Sequence, residues 1–149
     1  MRLLHTADWH LGRRFNHWDL LESQAAFVDW LVEVVHEEAI DAVLVAGDLF
    51  DRAVPPQQAV ELADEALARL VDAGAAVVAI SGNHDSAQRL GFGARAMAAA
   101  GLHIRTERRD CTTLGAPVVL RPRRRPDGDH PVTVVPVPYL DPLRLDAVE

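Results

Sequence analysis

The apolar run Ala42-Val43-Leu44-Val45-Ala46, stopped abruptly by Gly47-Asp48-Leu49-Phe50-Asp51, limits most strongly what this chain can fold into. Continuous apolar residues without alternation read as a strand buried on both faces, which is how strands of parallel sheets are written. In open α/β sheets the edge where such strands end is where ligands and catalytic groups collect. Taken alone, an aspartate after a strand serves as readily as a turn former or a helix N-cap. The rest of the chain must bring partners to the same edge.

Arg2 to Thr6 reads as a short strand that runs into Ala7-Asp8-Trp9-His10-Leu11-Gly12. From Asp19 to about Ala39 the residues Leu21, Ala25, Val28, Leu31, Val32 and Val35 recur at helical spacing. Pro55-Pro56 can open a second helix, since proline at the first helical position gives up a donor that has no partner there. Val60, Ala63, Leu67 and Leu70 trace its apolar face, and Gly74 stands where a left-handed C′ residue ends a helix. Ala75 to Ile80 is a third buried strand, leading into Ser81-Gly82-Asn83-His84-Asp85-Ser86. The pattern is β-α-β-α-β, an α/β fold with a parallel sheet and right-handed crossovers.

Beyond this point the pattern thins. Ala87 to Ala100 reads as helix interrupted by Gly91 and Gly93, and Leu102–Thr106, Pro117–Leu120 and Val132–Val137 read as short strands. Arg121 to Pro131, with Arg123-Arg124-Arg125, is an exposed loop, and Asp141 to Glu149 has helical character without a stop signal.

Composition narrows the function. A chain of 149 residues buries one core and is most simply one domain. All 15 basic residues are arginine, and the net charge of −7 argues against a surface that binds nucleic acid everywhere; polyanion binding must be local or metal-mediated. The single Cys111 excludes a disulfide framework or Cys-rich zinc site and fits a reducing cytoplasm. No apolar run approaches the roughly 20 residues needed to span a bilayer, so no membrane role is expected.

Parallel strands put three polar loops on one edge: Asp8-x-His10, Gly47-Asp48-x-x-Asp51 and Gly82-Asn83-His84-Asp85. Carboxylate, imidazole and carboxamide without thiolate suit a divalent ion such as Mn²⁺, Fe²⁺ or Zn²⁺. Asp48, on the middle loop, could offer one oxygen to each of two ions about 3.5–4 Å apart, a spacing that binds phosphate and activates water. His84 could touch the phosphate or protonate the leaving oxygen.

Together these motifs resemble the calcineurin-like metallophosphoesterases, and their flanks are similar to one branch, the SbcD nuclease subunits of SbcCD complexes. Met1 to Gly12 resembles the SbcD start, including Trp9 between the two ligands; Val45 to Asp51, Gly82 to Ser86 and Val135-Pro136-Val137-Pro138-Tyr139-Leu140 extend the likeness. The resemblance implies the N-terminal part of a metallophosphoesterase α/β/β/α sandwich over residues 1–149, incomplete at its C-terminal end. It implies that Asp8 and His10 bind one ion, Asp48 bridges, Asn83 binds the second and His84 assists cleavage, while Asp51 and Asp85 support the site or the structure. It further implies two Mn²⁺ ions, exonuclease and endonuclease action on DNA in repair and recombination, and an SbcC-type coiled-coil ATPase partner. A homodimer within a heterotetramer is part of the same implication. The family completes its metal site with later histidines, one alone and then a Gly-His-x-His pair. Here the later histidines are His103 and His130, neither in that context, so a chain continuing beyond residue 149 is expected.

Other residues have plainer readings. His5 reads as a satisfied core histidine, His17 and His36 as surface or flank, with His17 close enough to the first loop to touch substrate. Trp18, Phe27 and Trp30 read as packing residues of the first helix and Cys111 as inert; Arg121, Arg123, Arg124 and Arg125 could touch DNA phosphates but read more simply as a solvated loop. Asp51 and Asp85 remain open between backing the ligands and capping helices. Two other functions stay in play: a phosphoesterase for small phosphodiesters or phosphoproteins, which would share the three motifs, and a non-catalytic assembly fragment.

Overall fold

In the computed structural model, residues 1–106, 116–122 and 130–141 are described; Cys111, Arg123–Arg125 and the segment 142–149 lie outside them. The element order is β1 (Leu3–Thr6), β2 (Arg14–Phe15), β3 (Trp18–Asp19), α1 (Leu21–Glu37), β4 (Ala42–Ala46), α2 (Gln57–Asp72), β5 (Ala76–Ile80), α3 (Ala87–Leu90), α4 (Ala94–Met97), a 3₁₀ turn (Ala98–Ala100), β6 (Leu102–Arg105), β7 (Val118–Leu120) and β8 (Val132–Val134). The expected β-α-β-α-β start is present. Strands β1, β4, β5 and β6 form one parallel sheet in the order β1-β4-β5-β6.

Each crossover moves one strand further in the same direction, so right-handed connections put α1 and α2 on one face of the sheet. Side chains of a strand alternate between faces, and the packing follows that alternation. Val43, Val45, Val77, Ala79, Leu102 and Ile104 pack with Val28, Leu31 and Val35 of α1 and Ala63, Ala66 and Leu70 of α2. The alternate residues, Ala42 and Val78 with Leu44 and Ala76, meet Val118, Leu120 and Val134 of β7 and β8. These last two strands pair antiparallel as a ladder of their own. Among the described residues, helices therefore cover one face of the parallel sheet and a second sheet covers the other, an α/β/β arrangement consistent with the sandwich that the resemblance implies.

Several residues depart from the sequence reading. Pro56 is the extended N-cap of α2 (φ −66, ψ 154), not its first helical residue, and Gln57 opens the helix. The buried face of α2 is Ala59, Ala63, Ala66, Leu67 and Leu70, which leaves Val60 exposed. Three small alanines allow the helix to approach its neighbours closely, and that rotates its stripe one position from the largest apolar residues. Gly74 does adopt the left-handed C′ conformation, with φ 104.

His5 is not a core residue. Among the described residues β1 stands at the edge of its sheet, and His5 lies exposed on it. The two tryptophans offered for helix packing also fail. Trp18 lies before α1, on the small β2–β3 hairpin, and is 76% exposed; Trp30 is on the outer side of α1 and is 56% exposed. Phe27 packs edge-on against the buried Trp9 with ring centroids 5.7 Å apart, and the exposed Trp30 only flanks it from outside at 6.1 Å. No helix among the described residues is long and apolar enough to cross a membrane.

Candidate metal centre

Loops following β1, β4 and β5 meet at one edge of the parallel sheet, and backbone bonds lock them together. The amide of Asp8 donates to the Gly47 carbonyl (3.1 Å), that of His10 to Asp48 (2.9 Å) and that of Leu11 to Leu49 (2.9 Å). Asp51 donates back to Leu11 (3.2 Å). The first two loops thus continue the β1–β4 pairing beyond the strands, but with a different backbone. Asp8 (φ 56), His10 (φ 45) and Asp48 (φ 44) are all left-handed. Non-glycine residues in that region cost of order 1–3 kcal/mol each and persist only where their surroundings hold them. Here three such residues coincide with three sequence-predicted metal ligands.

Two glycines make the close approach of the second and third loops possible. Gly47 has φ 86, and a Cβ on it would lie 3.3 Å from the Cα of Gly82. A Cβ on Gly82 would overlap the carboxylate of Asp48. Glycine at both positions is what lets the Asp48 side chain lie against the Gly82-Asn83-His84 backbone.

Asp48 is the centre of the arrangement. It is 7% exposed. Its Oδ1 accepts from the His84 amide at 2.9 Å, and its Oδ2 lies 3.7 Å from His10 Nε2. One oxygen therefore faces the first loop and the other the third. No arginine pairs with Asp48 among the described residues; a buried carboxylate without a fixed cation is costly unless a cation joins it.

His10, Asp48 and His84 each offer a donor atom, all within 4.8 Å of one another. The imidazole rings of His10 and His84 meet edge-to-face with centroids 4.9 Å apart. His84 Nδ1 lies 2.8 Å from the Asp51 carbonyl. A carbonyl only accepts, so Nδ1 carries the proton and Nε2 is the nitrogen available to the site. His10 Nδ1 is buried without a hydrogen-bond partner, with Asp51 Oδ1 3.5 Å away. A histidine that ligates a metal through one nitrogen normally donates its other N–H to a carboxylate, and Asp51 stands where that acceptor is needed. The donor set and the buried carboxylate fit a divalent cation.

The remaining sequence-predicted residues divide clearly. Asp8 and Asn83 are exposed on the first and third loops, and the Asp8 carboxylate lies outside the three-residue cluster. Asp85 caps no helix. Its Oδ2 accepts from the Gly82 amide (2.9 Å) and the Leu49 amide (3.2 Å), and its Oδ1 from the Phe50 amide (2.9 Å). It is the clamp between the second and third loops. The N-cap of α3 is Ser86, whose hydroxyl accepts from the Arg89 amide. His103, on β6, and His130 are not part of the cluster.

Sequence reasoning missed three supports. Gln24 of α1 accepts from the Gly12 amide (3.0 Å) and donates to the His10 carbonyl (2.7 Å), bracing the first loop from the helix. Arg13 sets its guanidinium 3.8 Å from Asp51 Oδ1. Tyr139 donates its amide to the Ser81 carbonyl (2.9 Å), which brings the Val135–Leu140 segment to the edge that carries the site. A polar glutamine on the inner side of an amphipathic helix was the one available signal. Residues 1–126 match the calcineurin-like phosphoesterase family, and with its three loop motifs gathered at one sheet edge the chain belongs to that family, whose chemistry is metal-dependent hydrolysis of phosphoesters.

Proposed function

We propose that this chain is a DNA nuclease of the SbcD type, hydrolysing phosphodiester bonds with two divalent ions, Mn²⁺ by preference. The observation that carries the reading is the buried, bifacial Asp48, with one oxygen toward His10 and the other toward the His84 backbone. In this reading Asp8 and His10 would hold the first ion, Asn83 would hold the second and Asp48 would serve both. Bound ions would neutralise phosphate charge and activate water. The chain's own residues do the rest. Asp51, whose Oδ1 lies 3.5 Å from His10 Nδ1, would take the second N–H of His10 and orient its ring. The Asp51 carbonyl fixes the His84 tautomer, so a proton gained at Nε2 is aimed into the site, where it can pass to the leaving oxygen.

The assignment to DNA rests on the flanks of the motifs, above all Trp9 between Asp8 and His10 and the Val135–Leu140 segment. Incubation with Mn²⁺ and linear duplex DNA, in parallel with a small phosphodiester, tests it. DNA cleavage is expected; turnover of the small diester with DNA left intact would assign the chain to the small-substrate phosphoesterases instead.

Partners belong to the same proposal: an SbcC-type coiled-coil ATPase and a second copy of the chain. What supports pairing is an apolar groove of about 680 Å³ between α2 and the Ser86–Ile104 segment, lined by Val54, Val60, Leu67, Phe92 and Met97 among others. That groove also favours the second reading, a chain that assembles without cutting. Calorimetric titration with Mn²⁺ separates the two: the nuclease reading requires specific ion binding that Asp48→Asn abolishes, and the assembly reading requires dimers in light scattering with no such binding.

A further inference from the structure

The hairpin β2–β3 has no role in the core. It turns at Asn16-His17, with Asn16 left-handed at φ 55, and its register pairs Arg14 with Asp19 and Phe15 with Trp18. Residues directly opposite in an antiparallel pair project from the same face, with Cβ atoms about 4.5–5.5 Å apart. That face carries two large aromatic rings, and both are in solvent: Phe15 is 65% exposed and Trp18 76%. Neither ring joins the Trp9–Phe27–Trp30 cluster, and the two do not stack on each other.

The hairpin is rooted in the metal centre. Its first residue follows Arg13, whose amide donates to the His10 carbonyl (3.0 Å) and whose guanidinium approaches Asp51. Its far strand closes through the Leu20 amide on the Arg13 carbonyl (3.3 Å). Arg14 adds a second exposed guanidinium, and Asp19 opposite it is engaged elsewhere, accepting from the Leu21 amide (3.0 Å) at the start of α1. Two arginines and two open aromatic faces thus stand at the rim of a site for phosphoesters, on a chain whose net charge is −7.

We infer that the β2–β3 hairpin is a stacking clamp for unpaired nucleobases, in which Phe15 and Trp18 hold the bases of the strand whose phosphate enters the metal centre. This rests on the nuclease reading above. Guanidinium groups take the phosphate and aromatic faces take the base, the two contacts from which single-strand binding sites are built. In a duplex the base faces are already covered by their neighbours. Only an overhang, a frayed end or a loop presents them, so the hairpin selects such substrates.

The test is tryptophan fluorescence of the chain titrated in EDTA with oligothymidine and with an abasic strand of equal length, alongside Mn²⁺-dependent cleavage of linear duplex DNA and of bis(p-nitrophenyl) phosphate. Oligothymidine is expected to quench the emission, and Trp18→Ala to remove that quenching. In calorimetric titration Trp18→Ala and Phe15→Ala should each weaken oligothymidine binding about tenfold, leaving abasic binding as in the wild type. Trp30→Ala, an exposed aromatic change remote from the hairpin, should alter neither. Equal binding of both strands by the wild type, or unchanged oligothymidine affinity in both hairpin variants, overturns the clamp; if duplex DNA is still cut, the nuclease reading survives it. If the small diester is hydrolysed while no strand is bound and no DNA cut, both fall together.

Discussion

Removing the Asp85 carboxylate should damage the metal centre without touching any metal ligand. Asp85 accepts three backbone amides, from Gly82 (2.9 Å), Phe50 (2.9 Å) and Leu49 (3.2 Å). Hydrogen bonds to a charged group contribute about 1.5–3 kcal/mol each. The residue is half-buried, so water can replace part of what is lost, and Asp85→Ala should destabilise the fold by about 2–4 kcal/mol. That is a large share of the roughly 5–15 kcal/mol that holds a domain together. Asp85→Asn keeps the shape but turns an NH₂ toward at least one donor, and should cost about half as much. Urea unfolding followed by circular dichroism measures both. Because Asp48 precedes Leu49 and Gly82 precedes Asn83, the clamp also sets the spacing of the second and third loops, and calorimetric Mn²⁺ binding should weaken in parallel. If Asp85→Ala unfolds within about 0.5 kcal/mol of the wild type, the range of an ordinary surface change, and binds Mn²⁺ alike, the three amides do not depend on it and the reasoning fails.

Four further outcomes follow from the geometry. Asp51→Asn should lower Mn²⁺ affinity about 10–100-fold by depriving His10 Nδ1 of its carboxylate, read by calorimetry; unchanged affinity would remove Asp51 from the site. Gly82→Ala forces the Asp48 carboxylate aside, so metal binding should be lost even if circular dichroism shows a folded chain. His84→Gln should slow hydrolysis of a small phosphodiester about 10²–10⁴-fold through the missing proton donor; full activity would refute that role. Burial first, and the neighbouring Arg105 second, lower the His103 pKa below 6.5. The unfolded chain therefore takes up this proton first as pH falls. The His103 contribution to stability is complete above about pH 6.5 and is lost as pH drops through that value toward the folded pKa. A His103→Gln variant should show a flatter unfolding midpoint between pH 7 and pH 5, and an identical profile would contradict the assignment.

Much of the site was legible because its logic is one-dimensional. Continuous apolar runs such as Ala42–Ala46 mark buried parallel strands, and parallel strands deliver their following loops to one edge. The edge where His10, Asp48 and His84 cluster could therefore be named without coordinates, whereas the roles of single side chains, Asp8 and Asn83 among them, were assigned only with the family resemblance. The ends of β1, β4 and β5 and of the first two helices followed within about two residues from periodicity and from Gly74, but the last strand stops at Val134 and not at Val137, because Pro136 and Pro138 lack the N–H that a ladder needs. The hairpin at Arg14–Asp19 was not legible, since two-residue strands carry no period, and Trp18 was absorbed into the helix that follows it. His5 and Trp30 were misread for a related cause: an apolar pattern says that a face is buried but not which residues end on an edge strand or an outer flank.

The sequence by itself determined the alternation of strands and helices, the order of the three polar loops and the chemistry of their side chains, because these depend on local pattern and on the handedness of crossovers. Only the tertiary structure decided how the loops are held. The left-handed turns at Asp8, His10 and Asp48, the close approach of Gly47 to Gly82, the bracing of His10 by Gln24 and the three-amide grip of Asp85 all come from contacts between distant segments. No local propensity encodes them. They are stable because each unfavourable backbone angle or buried charge is answered by a hydrogen bond from another loop, and such a partner exists only once the sheet has brought the loops side by side.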